Sequence, residues 1–268
     1  MARAPPWAVW PLLLLARSGA LAEEAPPERC LCLFDIDRTL TGKQGTAGLE
    51  CPNDVEVPGI HDAAYSGGVL TLSALSVQGL QSTFCGSCYL GLVSAGGASG
   101  ADSEWRAYIE QHILVTEPFV ELAARVESAT AWSRFPAIRS PLVVFMPDRT
   151  KQYAVTAIAG WYNQNNVTLA TENIYFFGDR TENIEAFRGT GVNAREISCG
   201  SRDESMGGVV GLCGATPAEI EDVKGVRTCE DIRDPTLAPT PAPTPAPTPA
   251  PPPLPTTSPA AASTLGRF

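Results

Sequence analysis

Lysine is nearly absent from this chain: Lys43, Lys151 and Lys224 are the only three in 268 residues. Lysine and arginine together number 19 against 29 acidic residues, a formal net charge of −10. Binding a phosphate backbone needs clustered cations, so this balance excludes a nucleic-acid partner. Histidine is scarcer still, with His61 and His112 alone. Neither paired histidines nor a second Cys-x-x-Cys is present to complete a zinc site. No apolar run reaches the roughly 18 residues of a membrane-spanning helix. What remains is an ordinary globular composition, 44% hydrophobic and 18% charged. The length suits one α/β domain with appendages and is too short for two large ones.

The two ends differ from the middle. Residues 1–22 read as a secretory signal, with Arg3 in a basic start, the apolar run Trp7–Ala16 and the small-x-small pattern Ala20-Leu21-Ala22. Pro5, Pro6 and Pro11 argue against a stable helix there. Residues 234–268 are Pro, Thr and Ala-rich, and positions 235–259 hold 12 of the 24 prolines. Such a segment cannot build a core and is expected to be a solvated, disordered stalk. Its hydroxyls are candidate glycan acceptors, and contact with a cell wall or glycan is one use for it. Asn166-Val167-Thr168 is a further glycosylation acceptor.

Eight cysteines lie between these ends, an even count that in a secreted chain implies disulfides. Their connectivity is open, since eight cysteines allow 105 pairings. Cys85-Gly86-Ser87-Cys88 also admits a thiol–disulfide reading. A redox pair of this kind normally opens a helix, however, and this one leads into the strand-like Tyr89–Val93.

Residues 23–233 form the expected folded domain. Apolar runs at 30–36, 89–93, 141–146 and 174–177, with a weaker one at 191–198, read as strands. Helical spacing falls between them at 103–114, 118–126 and 149–162, with Asp148 as an N-cap for the last. The alternation predicts an α/β fold, a central parallel sheet flanked by helices. Ligands then bind beyond the carboxyl ends of the strands.

Four polar groups stand at those ends. Asp35 and Asp37 follow the first strand in Phe34-Asp35-Ile36-Asp37-Arg38-Thr39-Leu40-Thr41-Gly42. Ser94 closes the second, ahead of Ala95-Gly96-Gly97, where a hydroxyl and free amides suit a phosphoryl oxygen. Lys151 opens the helix after the third strand and is the only lysine between Ser94 and Asp179. Asp179 follows the fourth strand in Gly178-Asp179-Arg180-Thr181-Glu182-Asn183, with Asn183 one helical turn on. Each has an ordinary alternative, whether a capping acid pair, a glycine-rich loop or a solvated lysine. Three carboxylates converging on one sheet edge would repel strongly, and a divalent cation with hard oxygen ligands such as Mg2+ resolves this.

This ordered set resembles the haloacid dehalogenase-like hydrolases. Asp35-x-Asp37-x-Thr39 matches that family's first motif closely, and Gly178-Asp179 with Asn183 matches its last. Ser94 and Lys151 fit by position. The resemblance covers about residues 30–200 and leaves Cys199–Cys229 unexplained. It implies a Rossmann-like three-layer sandwich with a small or absent cap, and an Mg2+-dependent phosphatase acting on a phosphorylated substrate whose identity stays open. Asp35 would be the nucleophile, Asp37 the acid and base, and Ser94 and Lys151 the phosphoryl ligands. Asp35, Asp37 through its carbonyl, Asp179 and Asn183 would surround the metal. Residues 43–68 look like a short loop or flap. The competing reading is a lapsed hydrolase scaffold displayed on the Pro-rich stalk.

Overall fold

The computed structural model describes residues 29–233; the expected signal segment 1–22 and tail 234–268 lie outside these. In chain order the elements are β1 (Leu31–Phe34), β2 (Val55–Asp62), β3 (Gly68–Leu72), α1 (Ala74–Gln78), β4 (Tyr89–Val93), α2 (Glu104–Tyr108), α3 (Glu117–Ala123), β5 (Trp132–Arg134), β6 (Leu142–Val144), α4 (Lys151–Gln164), β7 (Ile174–Gly178), α5 (Thr181–Glu185), β8 (Asn193–Glu196), β9 (Val226–Arg227) and α6 (Cys229–Arg233). Seven of the strands form one parallel sheet in the order β5-β6-β4-β1-β7-β8-β9. The chain builds outward from β1 to one side through β4 and to the other through β7. The crevice for a ligand therefore lies at the carboxyl end of β1.

Burial explains why β1 reads as an unbroken apolar run. Leu31 and Leu33 pack with Val155, Ile158 and Tyr162 of α4 on one face. Cys32 and Phe34 face the opposite layer with Leu92, Trp105 and Ile109. Helices on both faces give the three-layer sandwich, and each fully buried large apolar side chain contributes about 1.5–3 kcal/mol. Gly91 lets α4 approach: a Cβ there would sit 3.1 Å from Leu33 and 3.5 Å from Ile158.

Four disulfides close the structure: Cys30–Cys88, Cys32–Cys85, Cys51–Cys213 and Cys199–Cys229. Cys85 and Cys88 bond to β1 and its approach, not to each other, and no described cysteine is free. This removes the thiol–disulfide reading. Four bridges suit an oxidising, extracellular environment. No described helix is long and apolar enough to cross a membrane.

Several local features depart from expectation. In the expected loop or flap at 43–68 the chain takes the flap form: β2 and β3 pair as an antiparallel hairpin. The 103–114 stretch divides into α2 and a π-helical turn over Ile109–Ile113. β5 and β9, three and two residues long, are too short to carry a periodic signal. Asp148 does not cap α4, whose N-cap is Thr150. Arg149 between them takes a left-handed backbone (φ 63°), which turns Asp148 away from the helix start.

Candidate functional site

The site is built at the carboxyl ends of β1, β4, β6 and β7, lining a cleft of about 470 Å³. The Asp35 N–H continues the ladder by donating to Phe177 O at 2.9 Å. Its carboxylate is thereby held at the sheet rim, where it is only 5% exposed. Oδ1 accepts the Ile36 N–H at 2.8 Å, and Oδ2 accepts from the Lys151 ammonium. Lys151 is the first residue of α4 and is 1% exposed. A lysine this deep needs a partner, and Asp35 supplies it. Burial pushes the Asp35 carboxyl up, against the opposing pull of Lys151.

Asp37 lies half-buried in the turn after β1. Its N-terminal neighbour Ile36 accepts hydrogen bonds at O from Thr39, Leu40 and Thr41, which curl the chain back. Thr41 Oγ1 accepts the Arg38 N–H at 3.0 Å and fixes Arg38 in a left-handed conformation (φ 62°). Burial, then the charges of Asp35 and Asp62, push Asp37 up to about 7. Ser94, fully buried at the end of β4, donates to Asp37 Oδ2 at 3.5 Å and accepts the Gly96 N–H at 3.1 Å.

Asp179 follows β7 and is 2% exposed. Burial and then the Asp35 charge push it up to about 7, opposed by Lys151 and Arg180. Its Oδ2 accepts the Gly211 N–H at 3.1 Å. The 199–213 loop that carries Gly211 is tied to the first turn: Arg38 Nη1 donates to Gly211 O at 3.4 Å and pairs with buried Asp203 at 3.3 Å.

Asn183 takes a different position from the metal ligand expected of it. It is fully buried, its Oδ1 accepts the Arg149 N–H at 2.7 Å, and its Nδ2 donates to Asp148 Oδ1 at 2.9 Å. Its amide oxygen is committed to the loop before α4, so its role is to hold Asp148 in the cleft. Asp148 itself lies 4.0 Å from Lys151 Nζ and 3.6 Å from Arg180 Nε.

The cleft therefore gathers Asp35, Asp37, Lys151 and Asp179, with Ser94 behind them, from four chain segments. It also gathers residues that sequence reasoning missed: Asp148, Arg180, Tyr65 and Phe145. Asp148 had a signal, its place just after β6, but a capping reading absorbed it. Tyr65 and Phe145 had none. Neither histidine lines the cleft: His61 is exposed on the hairpin, and the His112 ring lies tilted against Tyr108 with centroids 4.4 Å apart.

The donor set suits a hard cation. Asp35, Asp37 and Asp179 present three buried or half-buried acids against one buried ammonium, and Asp35 raises both others. Among the described residues, the only groups of three candidate ligand atoms within 4.8 Å of one another involve disulfide sulfurs. The acids of the cleft therefore do not close a three-carboxylate cage, and Asp35 and Asp179 are the two buried carboxylates that its rim could offer a cation. Comparison with protein-family models, curated proteins and solved structures finds no match to this chain.

Proposed function

We propose that the protein is an Mg2+-dependent phosphomonoester hydrolase of the haloacid dehalogenase-like type, working through an aspartyl-phosphate. The observation that carries this reading is the junction of Asp35, Asp179 and Lys151 at one rim, from β1, β7 and α4. An isolated Asp-x-Asp turn would need neither a buried lysine on its first acid nor another buried acid beside it.

In the first step a carboxylate oxygen of Asp35 attacks phosphorus as the bond to the ester oxygen breaks. Asp37, pushed up to about 7 and so protonated in a large fraction of molecules near neutral pH, gives its proton to that leaving oxygen. In the second step Asp37 takes a proton from water. The water oxygen bonds to phosphorus, the bond to Asp35 breaks and inorganic phosphate leaves. Ser94 and Lys151 hold the phosphoryl oxygens throughout. Asp35, Asp179 and the Asp37 carbonyl would hold Mg2+, which would offset the repulsion between carboxylate and phosphate.

Turnover of p-nitrophenyl phosphate with Mg2+ and with chelator, in wild type and Asp35→Asn, tests the reading. Wild type should be active with Mg2+ only, and the variant at least about 100-fold slower. Equal rates in the two proteins would remove it.

A further inference from the structure

Two aromatic side chains line the cleft without being buried. Phe145 is 44% and Tyr65 45% exposed. Both sit in left-handed backbone, φ 58° and φ 53°, a conformation that glycine or asparagine adopts far more readily than a ring-bearing residue. Each is held by an arginine. Arg134, paired next to Val144 by the β5–β6 register, lays its guanidinium 3.7 Å from the Phe145 ring centroid. Arg38 does the same to Tyr65 at 4.4 Å, and Arg180 Nη2 donates to the Tyr65 hydroxyl at 3.5 Å.

The rings are joined to the loop that follows Ser94. The Phe145 N–H donates to Gly96 O at 3.0 Å, and a Cβ on Gly97 would come within 2.9 Å of Phe145 Cζ. The hairpin tip bearing Tyr65 is anchored to the same loop, since Ser99 Oγ accepts the Ala63 N–H at 3.1 Å and donates to Asp62 at 3.4 Å. Ala63, Ala64 and Ala95 also line the cleft. A flat ring entering beside these alanines would find two rings to pack on.

We infer that the cleft selects phosphomonoesters of an aromatic alcohol. The aryl group lies against Tyr65 and Phe145 while the phosphoryl group rests on the Asp35–Lys151 floor. This specificity rests on the phosphatase reading above. Its ligand chemistry is shared by small aryl phosphates and by phosphotyrosine in a peptide.

The test compares kcat/KM for phenyl phosphate, a phosphotyrosine peptide and n-propyl phosphate, with Mg2+, in wild type, Phe145→Leu and Tyr65→Leu. Wild type should prefer phenyl over propyl phosphate about ten-fold, and each substitution should pull that ratio toward one, through KM more than kcat. Peptide turnover matching phenyl phosphate assigns the chemistry to phosphotyrosine; turnover of phenyl phosphate alone assigns it to small esters. A wild-type ratio near one, or a ratio that neither variant moves, overturns the specificity and leaves the phosphatase reading standing. Calorimetry with benzylphosphonate and propylphosphonate separates the remaining case. Absence of all turnover with a retained aromatic preference sinks the hydrolase and keeps the aryl subsite; equal binding of the two, without turnover, overturns both.

Discussion

Gly211 donates its backbone N–H to Asp179 across 3.1 Å, from a loop 32 residues further along the chain. Asp179 would otherwise have one carboxylate oxygen facing protein with no donor. A Cβ at 211 would stand 3.0 Å from Asp179 Cβ and 2.8 Å from Ser198 Cβ. Gly211→Ala should therefore cost about 1–3 kcal/mol of stability and displace Asp179. The Mg2+ concentration for half-maximal rate should rise by more than the loss of stability explains. A magnesium titration of turnover checks this, and an unchanged midpoint would show that the loop does not position the acid.

Asp35 and Lys151 form a buried ion pair, so removing one partner strands the other. Asp35→Asn and Lys151→Met should each cost about 3–5 kcal/mol. The double variant should recover much of that loss and remain inactive. Urea unfolding of the four proteins measures the cycle, and strict additivity would refute the coupling.

Asp37, Asp54 and Asp179 are each pushed up to about 7, with burial the first cause in all three. An acid raised in the folded state contributes stability that is complete below its unfolded value of 3.8 and lost as pH rises through about 7. With chelator present, the thermal midpoint should thus fall between about pH 5 and pH 8. Mg2+ should raise it more at the higher pH, where its carboxylate ligands are charged. Asp54→Asn, away from the cleft, should flatten its own share of the slope. A midpoint that climbs from pH 5 to pH 8 in chelator contradicts the sign.

The Cys51–Cys213 bridge joins the segment before the hairpin to the loop that supplies Gly211, across 162 residues. Replacing both cysteines by serine should cost about 2–5 kcal/mol. On the proposed function, it should also lower p-nitrophenyl phosphate turnover at a temperature where the fold remains intact. Circular dichroism beside an activity assay separates the two effects, and full activity in the folded variant would argue that the tether is structural only.

The layers of the fold were legible because β1, β4 and β7 are buried on both faces and read as apolar runs. Asp35, Asp37, Ser94, Lys151 and Asp179 were legible because strand ends of a parallel sheet converge. The remainder depends on pairings that no local pattern encodes. Asn183 looked like a ligand because of its spacing from Asp179, yet it faces the loop before α4 and holds Asp148. The role of the 199–213 loop appears only when Gly211 is seen against Asp179. Phe145 reads as part of a strand until its left-handed backbone turns it into the cleft.

Cys30 and Cys32 bond to Cys88 and Cys85 beside the paired rungs Leu31–Tyr89 and Cys32–Leu90. Side chains alternate along a strand, so a slip of two residues would preserve which face is apolar and would be the tolerated error. It would also carry Asp35 about 6.6 Å along the sheet, out of reach of the hydroxyl at the end of β4. With both sulfur bridges closed, such a slip requires breaking covalent bonds, so oxidation of these four cysteines locks the frame in which the first acid meets its neighbours.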